Sequence, residues 1–187
     1  MPICRQKNVE KEMLIIGRIF MTEYEETVLK KIVKGYLIEC IYTRLNRLAG
    51  QYGISNAEIS KRIGWDPAGF NQKYNRNSDI RITTFIKIYV AMRDLVKEET
   101  AQYGYFEIDA EDIKIGEVIT DQELEVGVLL NHISEVAEGK TEFLNSPSLI
   151  ESYKSMRSFV LVGQKNKRFT QKETEVYVNY YRQSAAT

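Results

Sequence analysis

The stretch IYTRLNRLAGQYGISNAEISKRIGWDPAGFNQKYNRNSDIRITTFIKI, residues 41–88, decides how this chain folds. Its apolar residues recur at three- and four-residue spacing, the period of a helix with one buried face. Ile41, Leu45 and Leu48 continue a helical pattern that stops near Gly53. Ser55 and Glu58 form a capping box, in which each side chain satisfies a backbone N–H at the opening of a helix. Ile59 and Ile63 then point inward, and Gly64 ends that short helix. Asp66 can cap the next one, with Pro67 at its first position, where a missing N–H costs nothing and the fixed φ is already helical. Phe70 and Tyr74 stand one turn apart on one face. After the polar loop NRNSD, a further helix presents Phe85, Ile88, Tyr89 and Met92 to the same core.

Two short capped helices joined by a glycine-containing turn and bracketed by amphipathic helices describe a helix-turn-helix unit. Residues 41–92 resemble the lambda-repressor-like superfamily that includes phage Cro and repressor proteins. The resemblance runs without a gap and rests on Leu45, Leu48, Gly53-Ile54-Ser55, Ile59-Ser60, Ile63-Gly64, Gly69-Phe70 and Tyr74-Asn75. Ser60 is small where two helices would cross closely, and Gly64 lets the backbone reverse.

The resemblance implies duplex DNA as the ligand and a recognition helix over residues 67–75 in the major groove. Direct base contact then falls on Asn71 and Gln72, whose amides can pair with adenine, on Lys73, and on Ala68. Phosphate contact falls on Asn56, Asn75, Arg76, Asn77 and Arg81. Asn56 stands where the family usually has a glutamine, and Pro67 and Ala68 occupy positions that commonly carry long polar side chains. These departures favour a competing reading, in which a protein-interaction module or an antitoxin-like protein keeps the helix-turn-helix fold without strong sequence readout. Asn71 and Gln72 are then an ordinary solvated face. Phe70, Tyr74 and Phe85 read as core, and Trp65 as a cover for the turn. Lys30, Lys31, Lys34, Arg44 and Arg47 read as ordinary solvation more readily than as a phosphate track.

Outward from this stretch, Thr22 and Glu25 form another capping box, opening a helical pattern through Val28, Leu29, Ile32 and Val33 that passes Gly35 to Leu37 and Cys40. Residues 1–21 are expected to be an N-terminal extension, with Met21 a plausible start. Toward the other end, residues 99–119 are acidic, with partial alternation across Tyr103, Tyr105, Phe106 and Ile108 that suits a short strand, and they mark the expected domain boundary. Thr120 with Glu123 opens a helix carrying Val126, Leu129, Leu130, Ile133 and Val136. Ser146 and Pro147 open another, with Leu149, Tyr153, Met156 and Val160, closed by Gly163. Thr170 and Glu173 cap a last helix with Val176, Tyr177, Tyr180 and Tyr181. Three such stripes cannot be buried singly, so the helices must pack together, onto the first domain, or onto a second copy.

The 187 residues carry 26 basic and 26 acidic groups, yet the charges are segregated. Residues 1–28, 29–98, 99–149 and 150–187 have net charges of −1, +7, −10 and +4, so the neutral total is a cancellation between parts and does not argue against a nucleic-acid partner. Cys4 and Cys40 form no C-x-x-C pair and the chain has a single histidine, His132, which supports neither a zinc site nor a disulfide framework. Asp109, Glu111 and Asp112 lack the spacing of a calcium loop, and no nucleophile is paired with a histidine. The expectation is an all-α protein that is not an enzyme and needs no metal or other cofactor. It comprises a DNA-binding domain over residues 22–98 and a helical domain over residues 99–187 for oligomerisation or a protein partner. It is read as a cytoplasmic, membrane-free homodimer that regulates transcription, because one short recognition helix makes too few base contacts alone.

Overall fold

A computed structural model describes residues 21–75, 80–103, 119–140 and 147–185. Among the described residues the chain is all-helical. The elements are α1 (Glu23–Gln51), α2 (Asn56–Arg62), α3 (Pro67–Lys73), α4 (Ile82–Tyr103), α5 (Asp121–Ala137), α6 (Pro147–Lys165) and α7 (Gln171–Ala185). No helix among the described residues is long and apolar enough to cross a membrane.

The local signals that start these helices are formed as side-chain hydrogen bonds. At α1, Glu25 N–H donates to Thr22 Oγ1 at 3.2 Å and Thr22 N–H donates to Glu25 Oε2 at 2.8 Å, with Glu23, Glu25 and Glu26 complementing the positive end of the helix. The same reciprocal pair closes the starts of α2 at Ser55 and Glu58, α5 at Thr120 and Glu123 and α7 at Thr170 and Glu173. The end of α1 is fixed by Gly53 at φ 69°, after which Ile54 N–H donates back to Ala49 O at 2.8 Å.

Helix α1 has 29 residues, about 44 Å at 1.5 Å per residue, and its two halves serve different cores. Its C-terminal half gives Ile38, Ile41, Leu45 and Leu48 to a cluster with Ile54, Ile59, Phe70, Tyr74, Phe85, Ile88 and Met92. Its N-terminal half gives Val28, Leu29, Ile32 and Val33 to a second cluster with Val126, Leu129, Ile133, Tyr153, Met156, Val160, Tyr177 and Tyr180. The stripes of α5, α6 and α7 are therefore buried against one another and against α1. The two apolar clusters divide α1 between them, whereas the sequence places residues 22–98 in one unit. The boundary expected after residue 98 lies inside α4, and the strand expected from Tyr103 begins on the last residue of that helix; the rest of that segment lies outside the described residues.

Helix α6 runs two residues past Gly163, which the sequence assigns as its end. The reversal occurs instead at Lys167, at φ 58°, with Arg168 N–H donating to Gly163 O at 2.8 Å. Gly163 has another role: a Cβ there would stand 2.5 Å from the Phe169 ring, so its missing side chain lets the chain after the turn pack back onto α6.

Candidate nucleic-acid interface

Helices α2 and α3 are held as a pair by a turn with few alternatives. Trp65 N–H donates to Ser60 O at 2.8 Å and Gly64 N–H to Lys61 O at 3.2 Å. Gly64 sits at φ 74°, a conformation that any Cβ would strain. Ser60 is fully buried, and its hydroxyl is satisfied by donating to Ala57 O at 2.8 Å. The Glu58 carboxyl is held below the ordinary carboxylate range by hydrogen bonds from the Ser55 hydroxyl and backbone N–H, so the cap stays ionised at neutral pH.

Across the turn, Asp66 Oδ1 accepts from Gly69 N–H at 2.7 Å, opening α3. A Cβ on residue 69 would stand 2.6 Å from the Asp66 carboxylate, so glycine leaves room for that cap. Phe70 and Tyr74 anchor the inner face, with ring centroids 5.0 Å apart, and Trp65 meets Phe70 edge-on at 6.2 Å. Trp65 covers the turn as a half-buried residue. With the inner face fixed, the helical period turns Ala68, Asn71 and Gln72 outward; these, Lys73 and Pro67 at the start of the helix are all exposed.

The nine residues singled out by the sequence have different positions. Ala68, Asn71, Gln72 and Lys73 share the exposed side of α3, and the Lys73 ammonium lies 4.9 Å from the centre of the Trp65 ring, a cation–π contact. Asn56 is exposed as the first residue of α2, and Arg81 is exposed just before α4, where its carbonyl accepts from Thr84 and Phe85 N–H. Asn75 is half-buried, and its amide nitrogen donates to Gln72 O at 2.6 Å and Asn71 O at 3.4 Å. That side chain closes the end of α3. Arg76 and Asn77 lie outside the described residues, as do Asp109, Glu111 and Asp112.

Two basic residues near this region are engaged by acids within the chain. Arg62 on α2 pairs with Glu98 on α4, and Arg44 on α1 pairs with Glu123 on α5. Sequence reasoning placed Arg44 on a positive solvent face, because nothing local to residue 44 announces a partner 79 positions away. Among the described residues no group of three or more His, Cys, Asp or Glu side chains is arranged to hold a metal ion. His132 is half-buried, with Nε2 out of water and without a hydrogen-bond partner among the described residues, and burial lowers its pKa.

No protein-family model matches this chain, and neither a curated protein nor a solved structure does.

Proposed function

We propose that the chain is a sequence-specific duplex DNA-binding protein of the lambda-repressor-like kind, acting as a transcriptional regulator with α3 as the recognition helix. The observation that carries this reading is the two-sided character of α3. Phe70 and Tyr74 fix the helix in the core, while Asn71 and Gln72, whose amides suit adenine, stand together on its free face. Lys73 beside Trp65 supplies a charge at the end of that face, and Asn56 and Arg81 are exposed donors for phosphates on either side. A seven-residue α3 covers few base pairs, so selectivity calls for two copies reading half-sites about 34 Å apart.

A second reading, a protein-interaction or antitoxin-like module without sequence readout, is favoured by Pro67 and Ala68 at the start of α3 and by the Asp66 carboxylate that caps it, a negative charge unsuited to a groove lined by phosphates.

Selection from random duplexes separates the two. For a DNA reader, a motif is enriched and log affinity falls with log salt at a slope of about −0.9 per phosphate neutralised. Replacing Asn71 and Gln72 by Ala weakens the selected site more than random duplex, whereas Arg81→Ala weakens both alike. Equal losses in the amide variant, or no enriched motif, would overturn the DNA reading.

A further inference from the structure

Leu124 and Val128 on α5 and Val162 on α6 are the most exposed large apolar side chains among the described residues, at 60%, 55% and 54%. A single exposed apolar residue needs no explanation, but these fall on two helix faces of opposite charge. On α5, Leu124 and Val128 stand one turn apart with Asp121 and Glu125 exposed beside them. A Cβ added to Gly127, between the two, would meet no atom within 4 Å, so this side of the helix is open to close approach. Helix α5 has acids at 121, 123, 125 and 135 and neither lysine nor arginine. Glu123 is taken by Arg44, whereas Asp121 and Glu125 form no ion pair with a described residue.

On α6, Leu161 shares a face with Arg157 and Lys165, one turn to either side, and Val162 stands at its edge. Leu161 is 39% exposed, and both cations are exposed without an acidic partner among the described residues. Lys154 extends the row, although Glu151 engages it at 3.3 Å. The two helices are neighbours, with Gln122 Nε2 donating to Ser155 Oγ at 3.0 Å.

We infer that α5 of one copy of this chain docks on α6 of a second copy. Charge selects this pairing: α5 on α5 sets acid against acid, α6 on α6 sets cation against cation, and α5 on α6 matches opposite signs around apolar residues. In an antiparallel contact that sets Leu124 against Leu161, Asp121 falls at the end of α6 that carries Lys165, and Val128 lies over the stem of Arg157. Because α5 and α6 of one copy are adjacent, a two-fold axis forms the contact twice and closes the assembly as a dimer. Two such contacts bring the buried area toward the roughly 1,200 Å² of a specific interface, which a single helix pair does not reach. A basic amphipathic helix of another protein would also suit α5, but the complementary face is present on the chain itself. The dimer supplies the second copy that the proposed DNA reading calls for, yet it rests on α5 and α6 alone and is tested without DNA, so either can fail while the other stands.

Sedimentation velocity of the full chain should give the mass of two copies, with association that weakens as salt rises. Asp121→Lys with Glu125→Lys, or Arg157→Glu with Lys165→Glu, should each weaken association about tenfold, since the symmetry repeats every reversed pair. An equimolar mixture of the two variants should dimerise again, because each reversed face then meets its opposite. Amide shifts of the unaltered chain should change on dilution at Leu124, Val128 and Leu161, a readout that stands if either variant misfolds. A monomer at high concentration, dilution shifts confined to other helices, reversal variants that remain dimers alone, or well-folded variants that do not recombine when mixed, each overturns the proposal.

Discussion

Arg44 on α1 and Glu123 on α5 form a two-point ion pair, with Nη2 2.5 Å from Oε1 and Nη1 on Oε2. Glu123 is only 4% exposed, and its Oε2 also accepts from Thr120 N–H at 2.9 Å and from the Thr120 hydroxyl at 2.5 Å. One carboxylate thus caps α5 and binds α5 to the helix shared by both apolar clusters. Removing it takes a carboxylate from the Arg44 guanidinium and uncaps α5 together, so Glu123→Ala should cost about 2–4 kcal/mol in urea unfolding. Arg44→Met leaves Glu123 held by Thr120 and should cost less. A double-mutant cycle should return a coupling of about 1–3 kcal/mol; a value near zero would mean that solvent screens the pair.

The same carboxylate sets an acid limit on stability. Burial works to raise its pKa, but the hydrogen bonds from Arg44 and Thr120 outweigh burial, and the net shift is downward. A depressed native pKa contributes stability that is complete above the unfolded value of about 4.3 and is lost as pH falls through the lower native one. The midpoint of thermal unfolding should therefore drop below about pH 4.5, and Glu123→Gln should flatten that drop while lowering the plateau at neutral pH.

Two helical glycines should respond oppositely to alanine. At Gly163 the new Cβ meets the buried Phe169 ring at 2.5 Å, so the ring must shift from its packed position and Gly163→Ala should destabilise by about 1–3 kcal/mol. At Gly127 nothing lies within 4 Å, and Gly127→Ala should stabilise by roughly 0.5–1 kcal/mol through reduced freedom of the unfolded chain. Thermal melts of the two variants test the pair.

Asn75 should behave as a cap. Its amide closes the carbonyls of Asn71 and Gln72, so Asn75→Ala should lower stability by about 1 kcal/mol. The salt slope of duplex binding should not change; a slope shallower by about one phosphate would assign Asn75 to DNA contact instead.

The starts of the helices are readable in the sequence because their causes are local. Thr22 with Glu25, Ser55 with Glu58 and Asp66 with Pro67 each act within three residues, and the apolar period then identifies Phe70, Tyr74, Phe85 and Met92 as core. The exposure of Asn71 and Gln72 follows from the same period. The end of α6 is less readable, because a glycine in the last turn has two uses: Gly163 admits Phe169, and Lys167 adopts the left-handed conformation that a glycine would otherwise supply. Asn75 is ambiguous in sequence for a related reason, since an amide near a helix end can serve either an outside ligand or the last carbonyls.

By itself the sequence determined the helical character of the described residues, the helix starts and the inward side of each helix, since caps and 3.6-residue periodicity operate over one or two turns. Only the tertiary structure decided that α1 belongs to both clusters, that Arg44 of the basic block is held by Glu123 of the acidic one, and that Lys34 and Arg168 line one groove. Such pairings depend on which helix faces which, and that is settled by packing between segments far apart in the chain, where no local pattern of residues carries the information.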